Sequence, residues 1–78
     1  MKIKEQIHNV AWYKRLKILR VIKGWTQEEA AEKCAVDKRI FWNWENGVSV
    51  PIKKNRERIS TVFDVSEKEV FGDIYKTA

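Results

Sequence analysis

Arg39, Trp42, Asn43 and Asn46 stand three, one and three residues apart. At about 100° per residue that spacing gathers them on one side of an α-helix. Arg can fork onto O6 and N7 of guanine, and Asn onto N6 and N7 of adenine, in the major groove of a duplex. The opposite side of the same stretch carries Phe41 and Trp44, flanked by Ile40 and Glu45. A short helix held by two large apolar residues and showing Arg, Trp and two Asn outward is built to touch something.

The elements that would position these side chains can be read on either side of them. Asp37 is a good N-cap, which predicts a helix from about Lys38 to Asn46, with Gly47 at its left-handed C-terminal position. Upstream, Thr26 and Glu29 have the spacing of a capping box. The Thr hydroxyl accepts from the Glu29 amide and the Glu carboxylate reaches back to the Thr26 amide. Trp25, just before the cap, can pack over Ala30 as a hydrophobic staple. Ala30, Ala31 and Cys34 make a small-residue stripe on this first helix. Residues 26–47 therefore read as two short helices joined by a tight turn.

In order along the chain, Thr26-Gln27-Glu28-Glu29, Ala31-Glu32-Lys33, Val36 and Trp44-Glu45-Asn46-Gly47 resemble the helix-turn-helix of the phage repressor and Cro (XRE-like) family of DNA-binding proteins. The resemblance extends upstream to Leu16, Leu19, Arg20, Lys23 and Gly24. Downstream it runs through Pro51, Asn55, Ile59, Val65-Ser66 and Glu69-Val70-Phe71-Gly72, so that it covers about residues 12–72. It implies an all-α fold, a compact lambda-repressor-like bundle of about five short helices. It also implies sequence-specific binding of double-stranded DNA by a transcription regulator, with repression by blocking a promoter as the family inference. The second motif helix would enter the major groove N-terminus first, with base contacts from Lys38, Arg39, Trp42 and Asn43. Trp42 is open between two roles: its indole can press on a thymine methyl or a sugar, or pack sideways on a neighbouring element or protein. Gln27 matches the family's phosphate-binding glutamine, Asn46 with the amides near Gly47 matches a second phosphate clamp, and Lys53 and Lys54 would form a third. Arg20 would pair with Glu45. Binding as a weak homodimer, or as a monomer that dimerises on an inverted-repeat operator, is implied too.

The chain departs from the family pattern in places. Ala35 stands where relatives most often carry the Gly of the turn, so a left-handed Ala35 would cost on the order of 1 kcal/mol. Lys53 and Arg56 replace leucines. Val21 and Ile22 replace polar residues and, with Ile18, give the first helix a second apolar face. We expect that face to pack on the chain's own termini or on a second subunit; scattered surface hydrophobes are the plain alternative.

Length and composition agree with a small binding domain. Seventy-eight residues make one domain with one small core, for which oligomerisation commonly adds stability. A hydrophobic share of 44%, one proline and three glycines favour a helical globule over β-hairpins. The 16 Lys and Arg against 11 Asp and Glu, net +5, suit a polyanionic partner or simply a solvated basic surface. Cys34 is the only cysteine, so it can form neither an intramolecular disulfide nor a cysteine zinc cluster. Its place on an apolar face predicts an inert buried thiol. His8 reads as a surface residue. No cofactor or metal is implied, and no nucleophile–base pair, metal-ligand spacing or glycine-rich phosphate loop suggests an enzyme. The N-terminal residues lack an apolar run long enough for a signal or a membrane span, which leads to an expectation of a cytoplasmic, nucleoid-associated protein with no membrane partner.

The remaining elements follow in order. Residues 1–9 form an arm or a backward extension of the first helix, since Ile3, Ile7 and Val10 share helical spacing. That helix is predicted over about Val10–Lys23 and ended by Gly24, burying Trp12, Leu16 and Leu19. After a loop at 48–50, Pro51 suits the start of a helix from about Ile52 to Phe63. Its first turn is crowded with Lys53, Lys54, Asn55 and Arg56, whose charges oppose the helix dipole; a bound phosphate resolves that conflict, and a solvated basic end is the alternative. Ser66 and Glu69 form a second capping box before a last helix of about one turn, and residues 73–78 make a tail beyond a domain at 10–72. A rival function keeps the fold without the groove-reading task, as a protein-interaction module of the antitoxin or antirepressor-partner kind. Trp42 and the second apolar face are its support.

Overall fold

Each helix begins or ends where local chemistry tells the chain to turn. A computed structural model describes residues 10 to 75, which form five helices and no strand: α1 Trp12–Lys23, α2 Gln27–Lys33, α3 Lys38–Glu45, α4 Lys53–Phe63 and α5 Glu67–Tyr75. The fold is all-α, a small helical bundle in which α2, a turn and α3 form a helix–turn–helix. The expected N-terminal arm, with Ile3, Ile7 and His8, and the end of the expected tail lie outside the described residues.

α1 starts later than its spacing suggested. Ala11 is extended (φ −62°, ψ 156°) and its carbonyl accepts from the amides of Lys14 and Arg15, so the helix does not run back through Val10. It stops at Gly24, which is left-handed at φ 76°. There the Trp25 amide bonds to the Arg20 carbonyl, the pattern that closes a helix on a glycine. α2 opens on a complete capping box: Thr26 Oγ1 accepts from the Glu29 amide at 3.1 Å, and the Thr26 amide donates to Glu29 Oε1 at 2.8 Å. These bonds hold the Glu29 carboxyl below its ordinary value. α3 opens on Asp37, whose carboxylate accepts from the Arg39 amide at 2.7 Å.

Between α2 and α3 the chain reverses through Ala35 at φ 58°. The Val36 amide bonds back to the Ala31 carbonyl and the Ala35 amide to the Glu32 carbonyl. This closure needs a left-handed residue, and here an alanine supplies it. α4 follows buried Pro51 and begins at Lys53; Ile52 stands at the cap with no side-chain bond to offer. Asp64, left-handed at φ 56°, ends it. α5 takes its start from Ser66, whose Oγ accepts from the Glu69 amide at 3.1 Å. It runs nine residues, through Gly72, longer than the single turn expected. Val70, Phe71 and Ile74 lie on its core side, and their packing carries the helix past a residue that ends helices elsewhere.

The core gathers one side of every helix: Trp12 and Leu16 from α1, Ala30 and Ala31 from α2, Cys34 from the turn, Phe41 and Trp44 from α3, Ile59 and Phe63 from α4, and Val70 and Phe71 from α5. Aromatic rings join the elements, with Trp12 and Phe71 centroids 5.7 Å apart and Trp25 5.4 Å from Phe63. Trp25, expected to cover Ala30, packs against the cluster that contains Ala30 and also lies on a ring from α4. Burial pushes the Cys34 thiol up to about 11, so it stays protonated and unreactive at neutral pH.

Two charged residues, Arg15 and Glu45, are buried as well. Arg15 is buried; its Nε and Nη2 donate to the Val70 carbonyl at 2.9 and 2.6 Å, and its Nη1 to the Val10 carbonyl at 2.6 Å. It ties α1 to α5. Its position three residues after Trp12 and one before Leu16 puts it inside the apolar stripe, the one sign in the sequence that this arginine faces inward.

Candidate nucleic-acid interface

α3 is divided lengthwise. Phe41 is fully buried, Trp44 nearly so, and both are wedged into the core, with their rings 5.8 Å apart. Lys38, Arg39, Trp42 and Asn46 are exposed and Asn43 is half-buried. Ile40, at the flank, is exposed as well. The helix thus keeps its polar side in solvent because its apolar side has no alternative but the core.

What fixes the attitude of α3 is a polar cluster behind its C-terminal end. The Glu45 side chain is 1% exposed and Arg20 13%. Arg20 Nε donates to Glu45 Oε2 at 2.6 Å and Nη2 to Oε1 at 3.1 Å, a two-pronged pairing. Gln27 Nε2 donates to the same Oε1 at 3.0 Å, and Arg20 Nη1 holds the Trp25 carbonyl at 2.8 Å. Three helices meet at one carboxylate, which accepts two hydrogen bonds at Oε1 and one at Oε2. Gln27, matched by resemblance to a phosphate ligand, therefore also braces α2 against α3. Nothing in the spacing of 27 and 45 marks this bond, which depends on the turn bringing the two helices together.

Gly47 completes the anchor. It is left-handed at φ 69°, and a Cβ there would sit 3.1 Å from the Tyr13 ring. The C-terminal end of α3 therefore lies tight against α1.

Around the exposed side the residues fall into two shallow clefts. Asp37, Lys38, Arg39 and Trp42 line one, along the start of α3. Arg20, Thr26, Gln27, Glu28 and Lys38 line the other, where the starts of α2 and α3 approach. Lys38 belongs to both, so the base-reading and phosphate-binding candidates meet there. The Arg39 guanidinium carbon lies 6.0 Å from the centre of the Trp42 ring, the outer reach of a cation–π contact. Asn46 turns its Nδ2 back onto the Trp42 carbonyl at 2.8 Å, which spends one of its two amide protons on its own helix end.

The helix starts differ in charge. α2 and α5 carry acids in their first turns, Glu28 and Glu29 in one, Glu67 and Glu69 in the other, which suits the positive end of a helix dipole. α3 and α4 carry none there. They begin instead with exposed Lys38 and Arg39, and with exposed Lys53 and Lys54. Arg56, expected in the same basic cluster, turns inward: its Nη1 donates to the Pro51 carbonyl at 2.8 Å and its Nε lies 3.5 Å from Glu67.

No group of three or more His, Cys, Asp or Glu side chains suited to a metal occurs among the described residues. No helix among them is long and apolar enough to cross a membrane. Comparison of the chain with family models, with curated proteins and with solved structures finds no match.

Proposed function

We propose that this chain binds double-stranded DNA sequence-specifically, as a transcription regulator of the repressor kind, with α3 lying in the major groove. The observation that carries the reading is the division of α3: Phe41, Trp44 and Glu45 are locked inside while Lys38, Arg39 and Trp42 stand outside. A helix so anchored presents its outward side chains in a fixed register, as base-edge hydrogen bonding requires. Arg39 takes a guanine and Asn43 an adenine, while Lys38 leads into the groove. The cations at the starts of α3 and α4, unfavourable to the free helices, become favourable beside phosphates. Gln27, through its remaining amide proton, Asn46, Lys53 and Lys54 serve the backbone and set register. Two copies on an inverted repeat extend the few base pairs one domain can read.

Fluorescence anisotropy with a labelled random duplex, followed by selection from a random library, tests the reading. Non-specific affinity falls linearly on a log–log plot against salt, by roughly one unit of slope per phosphate neutralised. Lys53→Gln with Lys54→Gln lowers that slope by about two and leaves sequence preference alone. Arg39→Ala relaxes preference at one position of the selected site, by about 1–3 kcal/mol. A chain that retains no duplex of any sequence at low ionic strength is not a DNA-binding protein.

The exposed aliphatic residues favour a second reading, as a protein-interaction module of the antitoxin or antirepressor-partner kind. Val48, Val50 and Ile52 stand in solvent after α3, and Val21 and Ile22 stand in solvent on α1. Under this reading random DNA gives at most a salt-sensitive, sequence-blind shift, and selection enriches no site.

A further inference from the structure

We propose that Trp42 is a specificity residue, its indole taking the C5 methyl of a thymine in the base pair next to the guanine that Arg39 reads. The inference rests on the duplex-binding reading above and goes beyond it by assigning the adjoining base.

Trp42 has no structural task that would explain an indole. Trp12 and Trp44 are core residues and Trp25 packs on Phe63, whereas Trp42 is 42% exposed on the polar side of α3. A large apolar ring left in water gains free energy when an apolar group covers it. The cleft it shares with Asp37, Lys38 and Arg39 confines what can do so to something beside the Arg39 guanidinium. The Asp37 carboxylate in that cleft is committed to the Arg39 amide. The Arg39 guanidinium carbon lies 6.0 Å from the centre of the ring, so the charged fork and the indole stand side by side on the exposed side of α3.

Spacing then selects the neighbour. Three helical residues rise about 4.5 Å, and stacked base pairs are about 3.4 Å apart. With Arg39 on a guanine, Trp42 lies almost one turn further along α3, within reach of the adjoining pair. Thymine is the base that shows an apolar group in the major groove, a methyl beside the O4 acceptor. An indole offers the complement of that edge, an apolar face and one N–H donor. Cytosine presents an amino donor at the corresponding position, which the indole cannot accept.

The test uses the duplex recovered by selection and versions of it in which each thymine in turn is replaced by uracil, which removes the C5 methyl and leaves pairing intact. One replacement, at a thymine adjoining a guanine, weakens binding roughly three- to five-fold, the worth of one methyl taken out of water. The other replacements are neutral. The penalty disappears in Trp42→Ala and persists in Trp42→Phe; both variants melt as the parent does, because the side chain supports nothing in the core. The proposal is overturned, with DNA binding intact, if every uracil duplex binds as tightly as its parent. It is overturned equally if the penalty survives undiminished in Trp42→Ala, or if the selected site has no thymine beside a guanine. Failure to bind any duplex removes the proposal together with the reading beneath it.

Discussion

Ala35 is where the chain carries a cost in its own backbone. Its φ of 58° brings Cβ against the following carbonyl, a penalty that glycine does not share. Its side chain is exposed, so its removal forfeits no packing. Ala35→Gly is expected to stabilise the protein by about 0.5–1 kcal/mol, net of the extra freedom glycine adds to the unfolded chain; chemical denaturation gives the value, and a lower midpoint would contradict the strain. Next to it, Cys34 couples the fold to alkaline pH. Burial raises its thiol from 9.0 to about 11, so above pH 9 the unfolded chain releases a proton that the folded chain keeps. Stability from this source is complete below pH 9 and is lost as the pH rises towards 11. Cys34→Ala removes that part of the slope, and the difference between the two melting curves across that interval measures it. In the native protein at neutral pH, thiol reagents should label Cys34 only as fast as the fold opens.

Among the elements, the short helices of the helix–turn–helix depend on their caps. The seven residues of α2 and the eight of α3 are too few to hold a helix without capping and tertiary packing. The Thr26–Glu29 box and the Asp37 cap were legible because capping follows from residue type at fixed short spacing. The length of α5 was not, because Gly72 reads locally as a stop. Packing of Val70, Phe71 and Ile74 against α1 and α4 overrides that preference. A Cβ at Gly72 would meet nothing closer than Lys68 Cγ at 3.5 Å, an ordinary contact. Gly72→Ala is therefore expected to stabilise α5 by about 0.5–1 kcal/mol, read as a higher melting temperature. Destabilisation would show that the glycine has a role which helix propensity does not describe.

At the scale of the whole molecule, the Glu45 carboxylate is the junction of three helices. Glu45→Ala leaves the Arg20 guanidinium largely out of solvent without its partner, at a cost of about 3 kcal/mol, and frees Gln27 and the end of α3 together. We expect a loss of stability, and a loss of DNA affinity larger than the unfolded fraction explains; Arg39→Ala, by contrast, should alter affinity and leave melting unchanged. Comparing the two variants separates the frame that aims α3 from the side chains α3 presents. The second apolar face of α1 belongs to this scale too. Val21 is 59% and Ile22 56% exposed, and Ile18 is half-buried. If that face joins two copies, replacing Ile18, Val21 and Ile22 by polar residues lowers the mass seen by light scattering. An unchanged mass and an unchanged melting temperature would assign these residues to plain surface.

Sequence alone determined the elements whose signals are local. Capping boxes, αL glycines and three-and-four spacing act over one helical turn, so the order of the helices, the starts of α2 and α3 and the division of α3 into an apolar and a polar side could be read directly. It also determined which side chains α3 shows to solvent, because a helix face follows from spacing once the helix exists. Tertiary structure alone decided the rest. Arg15 reaches a carbonyl 55 positions away, and Gln27 a carboxylate 18 positions away. Arg56 turns from the basic cluster towards Pro51 and Glu67. Such bonds form between groups that only the folded chain brings within hydrogen-bonding reach, at directions no local periodicity encodes.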